Sequence, residues 1–458
     1  MLPNFFLPIY INEWGAKKNS AQSNKKLIVF FGVLTEIIYL MFYFIEPLRK
    51  KLGDENITLK NDQLFFLTVL LLFFSLLLYI LVFNQAAFEK SDIKLIIGFF
   101  LLFNITLLFV WPVGSYDIFS YIYQSRVLSE HHANPLIMPY SNFSNDAFYY
   151  FINNKWSNLP TPYGPLFIFL GYIITTVGGN NLILTLFLFK IFFAIINVLS
   201  CILIYKIFNS IKAVFLYGWN PLILYEIIIN GHNDILTIFL ILLCFYFLNK
   251  KTPHLKKYYH ALLFLLLSIL IKFITIIFLP IFILIILAKI ESKKEKIYFI
   301  CGSFLITIFI FFVFYFPFWS GMQTLLPLYR QSMLVDASII LSSPIMIIIF
   351  FILRYLNVNN FLTLGIMASK IIFVLFYLLL ITKIYIKRKK LGIIDIFKFF
   401  FISLLLFYLS FLTWFVPWYF TILISLLICY SAKINEFKFN KLIYGISLYG
   451  ILYYLLLR

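Results

Sequence analysis

Apolar runs of about twenty residues recur along this chain, divided by short polar or basic stretches. A run of that length, coiled as a helix rising about 1.5 Å per residue, crosses a hydrocarbon layer about 30 Å thick. The pattern predicts about thirteen transmembrane helices, near 27–47, 64–83, 94–112, 181–207, 213–230, 234–248, 258–273, 275–289, 297–317, 361–383, 394–412, 415–431 and 441–456. Two further apolar stretches, 165–177 and 343–353, are too short to cross comfortably and read as helices lying at the outer surface. The fold class expected is an all-α polytopic membrane protein.

Composition agrees. Of 458 residues 63% are hydrophobic and 12% charged, against about half and a quarter in a soluble domain. A net charge of +19 would suit nucleic acid, but the lysines gather in short loops, as the positive-inside rule expects. No nucleic-acid partner is expected; membrane lipid is. Lys17, Lys18, Lys25 and Lys26, then Lys206 with Lys212, 250–257, 289–296 and 383–390 are read as cytoplasmic. The segments 113–180, 230–234, 318–360 and 413–418 then all fall on the outer face. The basic stretch "LRKKLGDENITLK" after the first span does not fit this scheme. Cys201, Cys244, Cys301 and Cys429 lie in apolar runs and read as small core residues, with neither disulfide nor zinc. Met1–Ser23 is polar and mixed, so no cleavable signal is expected, and the first apolar run reads as an anchor. The whole chain, 1–458, reads as a single integral membrane domain: 1–112 a tail and three spans, 113–180 a large outer loop, 181–317 motif-bearing spans, 318–360 a second outer segment, and 361–458 the C-terminal spans.

Polar residues that a membrane protein does not need for solubility collect in the outer segments. In "VGSYDIFSYIYQSRVLSEHHANPLIMPY", Asp117, Ser120, Tyr121 and Gln124 share one face of a helix that Asn134-Pro135 and Pro139 should end. Pro160, Pro162, Gly164 and Pro165 make a stiff loop around Tyr163. An aspartate beside Tyr, Gln and Arg126 suits a hydroxyl-rich ligand, although Asp117 could equally cap its helix. His131 and His132, adjacent on a helix, diverge and read as its solvated end. Lys190, Lys272 and Lys370 interrupt apolar runs, where lysine either snorkels or has a partner. Trp414, Trp418 and Tyr419 would form an interfacial belt.

In order, the chain carries "D-x-x-x-Y-x-x-Q-x-R" from Asp117, then "NP", "TPYGPL", "NP…NGHND", Lys272 to Pro280, and "PWY" at 417–419. This set resembles the GT-C superfamily of polyprenyl-phosphate-sugar-dependent glycosyltransferases, most closely the bacterial α-(1→6)-mannosyltransferases that use polyprenyl-phosphate-mannose. The resemblance runs from about Gly114 to Tyr419; "RQSMLVDASIILSS", after 330, departs from it. It implies a bundle that moves a hexosyl, by resemblance mannosyl, group to a glycan or glycolipid acceptor, with inversion, in cell-envelope glycan synthesis. The site would lie on the non-cytoplasmic face of the cell membrane. The lipid-linked sugar is a substrate, and neither cofactor nor metal is implied.

By the same resemblance Asp117 is the catalytic base. A glycosidase needs an acid as well, because its leaving group is an alkoxide. A polyprenyl phosphate departs as an anion and needs positive charge instead, which Lys272 and then Arg330 would supply. Tyr121, Gln124, Arg126, Tyr163, Asn230, His232, Asn233, Asp234, Trp418 and Tyr419 complete the substrate-binding set that it suggests. In "NGHND", Gly231 permits the turn, while Asn233 and Asp234 can also cap the following span. Glu226 lies one turn before Asn230, so Glu226, His232 and Asp234 could alternatively hold a metal. The competing classes are a lipid-linked glycan transporter or flippase, which tends to show paired inverted repeats, and a ligase that moves a whole glycan.

Overall fold

The computed structural model describes residues 21–45, 62–149, 158–251, 254–325, 342–434 and 439–456. Among these residues the architecture is helical, without strands, and Ser320 and Met322 form an isolated bridge. The helices are α1 (Ala21–Ile45), α2 (Asp62–Gln85), α3 (Ile93–Leu108), α4 (Asp117–Ser129), α5 (Pro165–Gly178) and α6 (Leu182–Phe208). They continue with α7 (Ile211–Gly218), α8 (Pro221–Leu224), α9 (Asp234–Leu248), α10 (His254–Ile271), α11 (Phe278–Lys289) and α12 (Lys293–Tyr315). The last five are α13 (Pro344–Tyr355), α14 (Phe361–Lys387), α15 (Ile394–Ser410), α16 (Tyr419–Lys433) and α17 (Asn440–Tyr453).

Among the described residues, six helical segments are long and apolar enough to cross a bilayer: Asn24–Phe44, Phe65–Gln85, Lys90–Leu108, Leu182–Phe208, Lys293–Phe318 and Phe361–Lys387. A seventh is the bent pair Ile211–Gly218 and Pro221–Ile229, if it counts as one span. By length and composition this is fewer than the thirteen spans read from hydropathy. The difference is geometric. At about 1.5 Å per residue, the 15 residues of α9 or of α16 rise about 22 Å, short of a full crossing. The apolar stretches near 165 and 343 do form short helices, α5 and α13.

Capping sets several boundaries. Asn181 accepts the Leu184 N–H at the start of α6, and left-handed Asn209 closes its end. In α4 the helix stops at Ser129, short of Asn134. His132 turns left-handed, φ 50°, and the Ala133 N–H returns to the Val127 carbonyl, so the turn forms before proline is reached.

Two short helices, α9 and α16, lie at the centre, and the long α12 lies at the periphery. Helices α9 and α16 are buried along most of their length, α9 against α6, α10 and α16. On α12 the large apolar residues Phe304, Leu305, Phe309 and Phe312 are exposed, as on a lipid-facing helix. Cys301 stands exposed on the same helix, unlike the three buried cysteines, which corrects its reading as a core residue.

Three interruptions matter for the site. Between α7 and α8 the Asn220 side chain caps the Leu222 and Ile223 N–H groups, and Pro221 fills the first turn, bending the pair by 49°. Residues Tyr225–Ile229 then form a π-helical turn, of the kind often found at functional sites. Finally, Lys272 is extended, φ −143°, between α10 and the 3₁₀ turn Phe273–Ile277. The "TPYGP" loop closes on this last break: the Gly164 N–H donates to the Ile271 carbonyl at 3.1 Å.

A Cβ on Gly164 would sit 2.1 Å from the Leu270 carbonyl oxygen, a backbone atom that cannot swing aside. Gly164→Ala should therefore lower unfolding stability by about 1–3 kcal/mol. Denaturation of the detergent-solubilised protein reads this; a change within about 0.5 kcal/mol, the scale of neutral surface substitutions, would show the contact to be slack.

Candidate active site

The chain that carries Asp117 is held before it reaches the helix. Lys190, buried in α6, donates to the Val110 carbonyl, so it neither snorkels nor stands alone. Asn230 Oδ1 then accepts the N–H groups of Val113, at 3.3 Å, and Gly114, at 2.9 Å. Ser115 Oγ accepts the Asp117 N–H at 3.1 Å. The start of α4 has no side-chain cap from its N-cap residue, Tyr116, and Asp117 occupies the first helical position. The carboxylate is thus presented outward.

Asp117 meets the "NGHND" turn. Its Oδ2 lies 3.7 Å from His232 Nδ1, and the Tyr121 hydroxyl lies 3.5 Å from the same nitrogen. On the ring's other side His232 Nε2 is 3.4 Å from Glu226 Oε2. Glu226 accepts Asn230 Nδ2 on Oε2 at 3.0 Å and the Tyr454 hydroxyl on Oε1 at 2.7 Å. Trp418 stacks on His232, with ring centroids 4.2 Å apart and planes 16° from parallel. Gly231, φ 69°, allows the turn and leaves room for Ile118, whose Cδ1 a Cβ would approach to 2.4 Å.

Lys272 completes the cluster. Its extended backbone aims Nζ at Asp234 Oδ1, 2.8 Å away, and over the Tyr419 ring, 4.6 Å from the centroid. Asp234 is fully buried while Lys272 is 15% exposed, so the cation is the accessible partner. Asp234 Oδ2 and both polar atoms of the Asn233 side chain are buried without a hydrogen-bond partner. Asn233 occupies the N-cap position of α9 but its side chain caps nothing. Buried polar atoms of this kind normally find a partner.

Asp117 is open to the outside, 30% exposed, in contrast to fully buried His232. Protein crowds its remaining sides, and that burial pushes its pKa up to about 6. The Lys272 charge and the Ser115 hydrogen bond oppose the rise, and the Asp234 charge adds to it. Burial first, and the Lys272 charge second, push His232 well below the usual imidazole range, leaving a neutral ring.

The other sequence candidates divide. Tyr163 packs edge-on against Tyr121, centroids 5.1 Å apart. Gln124 accepts the Thr161 hydroxyl at 2.7 Å, fastening the "TPYGP" loop to α4. Trp418 is buried against His232, so it and Tyr419 wall the cluster. Arg126 is not brought there: it pairs with Asp146 at 3.1 Å, bonds the Gly179 carbonyl and Asn180, and lies over Phe148. His131 joins that group, bonded to Asp146 at 2.8 Å and stacked on Phe143, and is not a solvated helix end. Arg330 lies outside the described residues. Tyr454 escaped the sequence reading because nothing separates it from Tyr453 in an aromatic terminal run.

The fold and this cluster define a multi-pass membrane protein with one open carboxylate above a buried acid–imidazole–lysine group. The chain belongs to the alpha-(1->6)-mannopyranosyltransferase family, whose N-terminal domain matches residues 47–288, more than half of it. It is similar to alpha-(1->6)-mannopyranosyltransferase A of Corynebacterium glutamicum, 27% identical over 161 residues. That alignment covers 33% of this chain and 32% of the relative, so it spans about a third of the relative's length. No solved structure matches.

Breaking the Lys272–Asp234 pair from one side leaves a buried charge unpaired. Lys272→Met should cost about 3 kcal/mol or more of unfolding stability, and adding Asp234→Asn should recover most of that loss. Chemical denaturation of the three variants tests the pair, and strictly additive losses would show that the two groups are not coupled.

Proposed function

We propose that this protein transfers a mannosyl group from a polyprenyl-phosphate donor to a glycan or glycolipid acceptor at the outer face of the membrane, with inversion at the anomeric carbon. The observation that carries this reading is the pairing of one exposed carboxylate, Asp117, with one partly exposed cation, Lys272, over otherwise buried polar groups. Family membership supports the sugar and the reaction class. The basic loops assigned to the cytoplasm support the face.

The acceptor hydroxyl approaches Asp117, which takes its proton as the oxygen attacks the anomeric carbon. The bond from that carbon to the phosphate oxygen breaks on the opposite side, and its electron pair leaves with the phosphate. One displacement with one base inverts the centre, so no second carboxylate acting as an acid is required. Lys272 keeps two N–H donors beyond the one given to Asp234, and these meet the departing phosphate. The unpartnered Asn233 amide offers both a donor and an acceptor to sugar hydroxyls. Trp418 and Tyr419 give the sugar ring an aromatic wall.

Asp117→Asn should lower polyprenyl-phosphate release from a mannosyl donor by about a thousandfold while leaving the protein folded. A near-parental rate would remove Asp117 from the role of base. Since Asp117 must be ionised to accept a proton, kcat/KM should rise about tenfold per pH unit below pH 6 and level off above it. A flat profile between pH 5 and 7 would contradict that assignment.

A further inference from the structure

We propose that Tyr408 is a further phosphate ligand, whose hydroxyl donates a hydrogen bond to the oxygen that the phosphate gains when it leaves the sugar. This inference rests on the reading above, in which a prenyl phosphate departs beside Lys272. In sequence Tyr408 is inconspicuous, one aromatic residue among several in the apolar run of α15.

Tyr408 stands near the C-terminal end of α15, which packs along α16. It is 1% exposed. Its ring lies nearly parallel to that of Tyr419, with planes 21° apart and centroids 5.5 Å apart, and Lys272 Nζ lies over the same Tyr419 ring. Asp234, the partner of Lys272, is near enough for its charge to act on Tyr408. Four separate pieces of chain therefore meet here: the break at Lys272, the start of α9, the start of α16 and the end of α15.

The Tyr408 hydroxyl is buried with no hydrogen-bond partner among the described residues. Asp234 Oδ2 is unpartnered as well, so the two groups do not satisfy each other. A buried hydroxyl left in that condition is costly, and phenylalanine would fill the same space without the cost. The phenol is explained by a group that it meets when the site is occupied. A phosphate suits it better than a sugar hydroxyl does, because a hydrogen bond to an ionised acceptor is the stronger kind. The accessible neighbour, Lys272, is a cation and draws the same ligand.

The step itself calls for one more donor. The lipid-linked sugar is a phosphodiester, with a pair of non-bridging oxygens and a single negative charge. When the bond from the anomeric carbon to the bridging oxygen breaks, the electron pair stays on that oxygen. The phosphate becomes a monoester with an additional terminal oxygen and an additional negative charge. Lys272 has two N–H groups beyond the one given to Asp234, enough for the original pair of oxygens. The phenol serves the new one. Tyr408 keeps its proton throughout, and the proton of the acceptor hydroxyl goes to Asp117. Because the hydroxyl meets charge that appears only on departure, it acts on kcat rather than on KM.

The test compares Tyr408→Phe with the parent, both as full chains in detergent micelles, with polyprenyl-phosphate mannose as donor. The kcat for prenyl-phosphate release should fall about a hundredfold while KM stays within about twofold. The unfolding midpoint should stay level or rise, since the variant loses an unsatisfied hydroxyl and no hydrogen bond. A kcat within about twofold of the parent would overturn the proposal, and so would a raised KM at parental kcat. A Tyr408→Phe that unfolds more readily, or does not fold, would overturn it too, by showing that an internal water or Asp234 already takes the hydroxyl. Calorimetry supplies a second reading. The parent should bind farnesyl phosphate about tenfold more tightly than Tyr408→Phe does, and both should bind its methyl diester equally. Equal binding of farnesyl phosphate by the two proteins would dispose of the extra contact. A parent that releases no prenyl phosphate defeats the function proposed above, whereas an active parent matched by Tyr408→Phe defeats only the role of Tyr408.

Discussion

One carboxamide joins the parts of this molecule that chemistry requires to meet. Asn230 is fully buried, and its two acceptor and two donor positions are all occupied. It holds the backbone at Val113 and Gly114, upstream of Asp117, and it holds Glu226 and Tyr454. A residue in the middle of the sequence thereby binds an early loop to the C-terminal end of the described chain. In a low-dielectric interior an amide with every position filled is stabilising and rigid, and one with a position missing is costly. The geometry of the site is therefore set by hydrogen bonding across the bundle, with apolar packing deciding only the gross arrangement.

The same constraint accounts for the broken helices. Each break frees backbone groups that a lipid environment cannot satisfy. The Asn220 side chain takes up two of them at the start of α8, and its amide reaches Ser447 at 2.9 Å. Trp219 donates to the Ile96 carbonyl at 3.0 Å. The Gly164 N–H takes the Ile271 carbonyl exposed by the Lys272 break. In this reading "NP", "TPYGP" and "NGHND" are first of all ways to stop a helix inside the bundle. The polar side chains gather there because unwound backbone makes room for them.

Much of this was legible in the sequence, though unevenly. The spacing of Asp117, Ser120, Tyr121 and Gln124 gave the face of α4, and the glycine and prolines of "TPYGP" gave the stiff loop. The joining of "NGHND" with Asp117 was expected from their shared side of the membrane. Hydropathy counts more spans than helix length does, because a 15-residue apolar helix in the centre reads in the sequence like a span that crosses. Charge misled on Arg126, since its partners Asp146 and Asn180 lie 20 and 54 residues away. Lys190 and Lys272 looked alike as lone lysines in apolar runs, yet one binds a backbone carbonyl and the other a carboxylate. Side-chain identity alone does not distinguish such fates; the partner's position in space does.

The stack of Trp418 on His232 has a consequence for how this protein divides. Asp117, Glu226, His232, Asp234 and Lys272 all fall within the stretch shared with the family's N-terminal domain, residues 47–288. Trp418, Tyr419 and Tyr454 come from beyond it. A fragment severed after 288 would keep the carboxyl groups, the imidazole and the lysine of the cluster but would lose the indole lid over the imidazole and the phenol beneath Glu226. The half that matches the family's N-terminal domain is thus an unfinished vessel, and the distal half is the part in which its shape can be altered without touching its carboxyl groups, imidazole or lysine.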